Sequence, residues 1–203
     1  MSDPMQVDKK LYELEGWKLI AVCAAYSERM FPNFALFSRL VGFGDAAKLR
    51  LVLDGVWDNL ANNGAKMNFE VQLDNVEDNM PDLEEYTMYG ASPALDAVVA
   101  LFQTVNCVLE QDKGDGVALA QLSRECVATF VEVTECDDQM SDEEVVRLIN
   151  THDLMVNEDD FQQEVLTMLL EQEKADKAFI AELRELSHNE GYSNIGITDD
   201  EDA

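Results

Sequence analysis

Apolar residues recur along this chain at spacings of three and four, and no segment alternates with the period of two expected of a half-buried strand. Leu49, Val52, Leu53, Val56 and Leu60 keep to one face of a helix running from about Asp45 to Ala61. Phe69, Leu73, Val76 and Met80 mark a shorter helix that Pro81 ends. Leu119, Leu122, Ser123, Cys126, Phe130 and Val133 line another, preceded by the loop Lys113–Gly116. From Phe161, Val165, Met168 and Leu169 through Ile180, Leu183 and Leu186 the pattern predicts one long final helix, stopped near Gly191 by a left-handed cap. At the other end, Leu11, Leu14, Leu19, Ile20 and Cys23 face inward from a first helix over about Val7–Arg29, with Gly16 a candidate kink. The run Phe31-Pro32-Asn33-Phe34 is expected to break it, and a short helix over about Ala35–Val41 to end at Gly42-Phe43-Gly44.

Two helix starts carry stronger signals. Ser141 with Glu144 three residues on forms a capping box, and Asp142 and Glu143 favour the positive end of the helix dipole. Ser92 followed by Pro93 has the form of an N-cap and first helical residue. The helix they open, Pro93 to about Leu109, is apolar nearly all round, which predicts a central, buried position. The expectation is an all-α, single-domain helical bundle around that helix, spanning residues 1–197, with an acidic, disordered tail at 198–203.

Charge narrows the function. With 42 acidic residues against 14 basic, the chain carries a formal −28. Such a surface repels phosphate backbones and anionic bilayers, which argues against ordinary nucleic-acid and membrane binding. The 47% hydrophobic content separates it from disordered acidic chains, which lack the apolar surface to offset ordering entropy. Residues from Asp137 to Ala203 hold 20 acidic and 4 basic side chains, −16 of the total. That end is either a solvated face or a docking surface for a basic protein. Cys23, Cys107, Cys126 and Cys136 are widely spaced without a C-x-x-C pair, as expected of reduced thiols in a cytoplasmic protein. No apolar leader opens the chain, and runs such as Leu19–Ala25 are far short of a membrane span.

Candidates for chemistry are sparse. Glu185 and His188 make one Glu-x-x-His unit, but Ile149 stands where His152 would need a second glutamate, so no di-metal site is expected. Glu132 and Glu135 lie three apart on a helix, a spacing that acidic abundance alone produces. No glycine-rich phosphate loop and no nucleophile–base pair are evident, and no cofactor or metal is expected. More telling are polar residues in apolar surroundings. Glu28, Arg29, Asn33, Tyr89 and Asp96 form a candidate pocket. On the plainer reading, Asp96 meets a helix dipole or pairs with Arg29 and fixes packing. Ser193, Asn194 and Gly196 lie in Ser193-Asn194-Ile195-Gly196-Ile197, a turn whose isoleucines are expected to clasp the core. Alternatively this loop presents backbone N–H groups to a ligand.

Several of these segments coincide with a family pattern. ERMFPNF at Glu28–Phe34, GFGD at Gly42–Asp45 and YGASPALDAVVAL at Tyr89–Leu101 resemble the YjaG-like family of bacterial proteins. KMNFEVQL at Lys66–Leu73, MSDEE at Met140–Glu144 and SNIGI at Ser193–Ile197 also match, so the likeness spans Trp17 to Ile197. It implies an all-helical, cytoplasmic domain of unknown function and assigns no catalytic residue. The residues themselves point away from an enzyme and toward an interaction protein that docks a basic partner, with mimicry of nucleic acid as a sharper variant. The alternative is a small-molecule binder or enzyme using the candidate pocket. Oligomeric state is not specified by any of these features.

Overall fold

Short polar side chains mark where four of the helices begin. In the computed structural model, which describes residues 4–62, 66–137 and 139–200, the described residues form nine α-helices and no strand. In chain order they are α1 (Pro4–Tyr12), α2 (Trp17–Val41), α3 (Ala46–Leu60), α4 (Phe69–Glu77), α5 (Ala91–Leu109), α6 (Asp115–Glu135), α7 (Asp142–Thr151), α8 (Asp153–Glu171) and α9 (Lys177–His188). Asp45, Asn68 and Asp176 each accept a backbone N–H from the first turn of α3, α4 and α9. Ser141 and Glu144 form the expected reciprocal capping box on α7. His152 caps α8 through Nδ1, which accepts the Leu154 N–H at 3.2 Å.

The all-α expectation holds, with five local corrections. Gly16, at φ 60°, separates α1 from α2 instead of kinking one helix, and its N–H donates to the Gln111 side chain. Pro32 does not break α2, which runs on to Val41 and ends at Gly42 in the left-handed region. An interior proline costs about 3 kcal/mol. Burial of Met30, Phe34 and Phe37 around it contributes about 1.5–3 kcal/mol each and outweighs that. Ser92 and Pro93 lie inside the first turn of α5, with Gly90 at the cap position. Pro93 is tolerated there because a first-turn N–H has no intrahelical acceptor. α4 ends at Glu77, short of Met80. The long final helix is two helices, broken where the Gln172 amide bonds Lys174 O and the Asp176 carboxylate; α9 then ends at left-handed Asn189, ahead of Gly191.

The centre of the bundle belongs to α2 and α5 together. α2 is buried without a break from Leu19 to Met30. α5 packs along it, with Val98, Leu101 and Val105 in the core and Val99 and Phe102 half-buried. Length and composition would let α5 cross a bilayer, but here α2, α4 and α6 pack against it. Ser27 Oγ and Thr104 Oγ1 meet at 2.7 Å between the two central helices, and Thr104 also bonds Cys23 O and Ala100 O. α3 and α9 flank α2 on one side, α6 and α8 on another. Cys23, Cys107 and Cys126 are buried free thiols, and Cys136 is half-buried.

Beyond α9 the chain turns back on itself. Ser193 N–H donates to Ile197 O at 2.8 Å and Gly196 N–H to Ser193 O at 3.0 Å, with Gly196 at φ 73°. Ile195 is thereby buried in the core. Thr198–Asp200 continue along α2, where Asp199 accepts from Arg39 Nε at 2.7 Å; residues 201–203 of the acidic tail lie outside the described residues. Ile195→Ala is expected to lower unfolding free energy by about 2–4 kcal/mol, read by urea denaturation. An unchanged midpoint would show that the segment is not a clasp.

Candidate functional site

Successive residues on a helix point about 100° apart, so two neighbouring charges inside a bundle must find different partners. Glu28 and Arg29 of α2 do so. Glu28 turns toward α3 and α9. Arg50 donates to both of its oxygens at 2.7 Å, a bidentate fork, and Trp57 Nε1 donates to Oε2 at 2.8 Å. His188 Nδ1 stands 3.4 Å from Oε1 and Arg184 Nε 3.9 Å from Oε2. Asp54 bridges the two arginines. Burial alone would raise the Glu28 pKa. The hydrogen bonds and charge of Arg50, the Trp57 N–H and the charge of Arg184 outweigh it and hold the carboxyl below its ordinary range. A cleft of about 310 Å³ opens over this cluster, lined by Glu28, Phe31, Pro32, Arg50, His188 and Asp199 among others. Arg50 lies 4.8 Å over the Phe31 ring.

Arg29 turns toward α8. Its Nε is 3.6 Å from Glu158 Oε2, and its guanidinium lies 4.5 Å over the Phe161 ring. Glu158 is fully buried; its other oxygen accepts from Ser123 Oγ at 2.7 Å and Gln162 Nε2 at 2.8 Å. Burial raises the Glu158 pKa, opposed by the charge of Arg29 and by those two donors. Asn194 Nδ2 donates to Ser123 O and Oγ, each at 3.1 Å, and Asn194 Oδ1 accepts from Asn33 at 3.0 Å. Asn33 also lies 4.0 Å from Cys126 Sγ. Asp96 lies beside the same thiol, and burial, with Glu125 adding to it, pushes its carboxyl up to about 6 against a favourable contact from Cys126. Burial, then the neighbouring Cys126 and Asp96, raises the Tyr89 hydroxyl.

The five candidate residues therefore divide. Arg29, Asn33 and Asp96 lie along one chain of polar contacts through Glu158, Ser123, Asn194 and Cys126, Tyr89 stands near its Cys126 end, and Glu28 faces another side. Arg29 pairs with Glu158 and not with Asp96, because Asp96 faces α6. In the candidate loop, Ser193 Oγ accepts the N–H groups of Ile195 and Ile197, so these donors are used within the turn. Glu185 and His188 both border the Glu28 cluster, and no metal-binding group of three appears among the described residues. In the sequence Glu158 is one of a run of acids. Its signal was spacing, three before Phe161 and seven before Val165. Arg50, Asp54, Trp57 and Arg184 gave no such signal singly.

Residues 6–198 match the family described as Protein of unknown function (DUF416). The chain belongs to the DUF416 family. It is 34% identical over 188 residues to uncharacterized protein YjaG of Escherichia coli (strain K12), covering 93% of this chain and 94% of that one. An uncharacterized protein of Haemophilus influenzae is 33% identical over 193 residues, 94% of this chain and 96% of the relative. The crystal structure of a DUF416 family protein from Shewanella baltica OS155 superposes with a TM-score of 0.85 at 31% identity, covering 94% of this chain and 97% of that chain. The family thus extends over nearly the whole bundle, including both Glu28 and Arg29.

Two outcomes follow from the geometry. Glu28→Ala removes the bidentate partner of Arg50, which keeps only Asp54, and the acceptor of the Trp57 N–H, and is expected to cost about 3 kcal/mol in urea denaturation, the lower end for a broken buried pair. Asp96 titrates higher when folded than when unfolded, so folding takes up a proton. It contributes no penalty while protonated in both states; stability is lost as pH rises from about 4 through 6, and the loss is complete by neutrality. Asp96→Asn should therefore raise the melting temperature at pH 7 and leave it unchanged at pH 4; equal shifts at both would contradict the assignment.

Proposed function

We propose that this DUF416 protein is a cytoplasmic, non-enzymatic binding protein that docks a basic protein partner on its acidic surface. The observation that carries this reading is the corner made by the end of α6, the following loop and α7. Glu132, Val133, Thr134 and Glu135 are all exposed, so the last turn of α6 is covered on no side. None of α7 is buried. The same corner displays Asp137, Asp142 and Glu143, with Val133 and Val146 among the exposed apolar residues. Carboxylates around small apolar patches suit a partner with lysines or arginines around apolar contacts.

The use of the cations supports the same reading. Arg29, Arg39, Arg50, Arg124, Arg184 and Lys113 each meet a carboxylate of their own chain. Six of the 14 basic side chains are thus matched within the chain, and the excess of carboxylates defines the long-range field. Such a field speeds encounter with a basic partner and is screened by salt.

The test compares two double charge reversals of equal size. Immobilised Glu132→Lys/Glu135→Lys protein is expected to lose about tenfold of the basic protein that the wild type retains from a bacterial extract in low salt. Glu77→Lys/Glu84→Lys, at exposed positions elsewhere, should lose little. Equal losses from both would reduce the effect to net charge and overturn a defined docking corner.

A further inference from the structure

Independently of that docking corner, a second cleft lies between α8, α9 and the Ser193–Gly196 turn. It has a volume of about 420 Å³, and Arg29 forms part of its lining with Phe161, Asn157, Asp160, Glu164 and Asn194. Arg29 is only 7% exposed. Its Nε faces Glu158 Oε2 at 3.6 Å, an ion pair just beyond hydrogen-bond length, and both atoms are buried without a hydrogen-bond partner among the described residues. Each such group costs about 1–3 kcal/mol if nothing satisfies it. With Nε turned to Glu158, the two terminal NH2 groups of this guanidinium, held against the Phe161 ring, are left for a planar acceptor, and a carboxylate is the closest match.

A simple anion does not fit the remaining walls. Asp160 and Glu164 are exposed at this cleft and repel negative charge, as does the overall −28. A ligand that satisfies both features carries a carboxylate for Arg29 and a cation for Asp160 and Glu164. Leu154, Phe161 and Leu186 supply apolar surface beside them. We propose that the cleft over Arg29 binds a free α-amino acid with an apolar side chain, its carboxylate on the Arg29 guanidinium and its ammonium toward Asp160 and Glu164. This is a binding site, with no bond made or broken, and it does not depend on the acidic corner.

The experiment is calorimetric titration of the full chain with L-leucine and L-phenylalanine, and with leucinamide and N-acetyl-leucine, which lack the carboxylate charge and the ammonium respectively. At least one free amino acid is expected to bind, with leucinamide and N-acetyl-leucine each weaker than leucine by about tenfold or more. Arg29→Lys keeps the charge but removes the fork and should reduce the preference for leucine over leucinamide. Because that variant sits in the core, Asp160→Asn/Glu164→Gln on the exposed rim provides a second readout: weaker leucine and stronger N-acetyl-leucine binding. A structural role for these residues would not produce that reversal. No binding of either amino acid at about 10 mM, or equal binding of leucine and leucinamide, overturns the proposal and leaves the cleft to water.

Discussion

A helix enclosed on every side can carry charged side chains only if each meets a partner in its own direction. Between Leu19 and Met30 α2 is such a helix, and Glu28 and Arg29 are the charged residues of that stretch. An isolated buried charge costs several kcal/mol, so the positions of α3, α8 and α9 around α2 are constrained by where Arg50, Glu158 and Arg184 must stand. The constraint is directional, unlike burial of leucine or valine. A bundle held only by apolar packing tolerates small rotations of its helices, whereas the bidentate contact between Arg50 and Glu28 fixes both the azimuth of α2 and the register of α3. The Trp57 N–H about two turns further along α3 adds a second fixed point.

The parts of the fold legible in the sequence are those where one face is apolar and the boundaries are marked. α3 shows Leu49 to Leu60 at helical spacing with Asp45 ahead of it, and α7 declares itself through Ser141 and Glu144. α2 is the least legible because its chemistry is compensated at long range. Pro32, Asn33 and the two charges read as a break, and only the partners at residues 50, 158 and 194 show why they are tolerated. The division between α8 and α9 leaves no trace in the periodicity, since Leu169 and Ile180 are about three helical turns apart and stay in phase across the gap. The clasp was readable for the opposite reason: two isoleucines and a glycine in an otherwise polar ending have few other uses.

The candidate site was legible as a set of residue types and not as a geometry. Nearness in sequence groups residues 28, 29 and 33 but does not show that Glu28 diverges from the rest, a divergence that follows only from the unbroken α2. Asn33 reaches Asn194 only because the chain returns after α9, a closure no local pattern encodes. Glu158 illustrates the limit of charge reasoning in an acidic chain. Among so many carboxylates, the one that matters most to the interior looks like its neighbours Asp159 and Asp160, and only its phase relative to Phe161 and Val165 separates it from them.

Arg29 connects these strands. Its partner Glu158 is held by Ser123 and Gln162, Ser123 is held by Asn194, and Asn194 belongs to the turn that also walls the second cleft. Anything that settles on the Arg29 fork therefore touches the same set of contacts that closes the C-terminal segment onto the bundle. A ligand there binds the folded state alone, so it stabilises that state by an amount set by its concentration relative to its dissociation constant. The stabilisation should fall first on the clasp, the part of the network with the fewest other attachments. Protection of the Ser193–Ile197 amides from hydrogen exchange would then report occupancy of the cleft, because opening that turn removes Asn194 from both Ser123 and Asn33 in a single step.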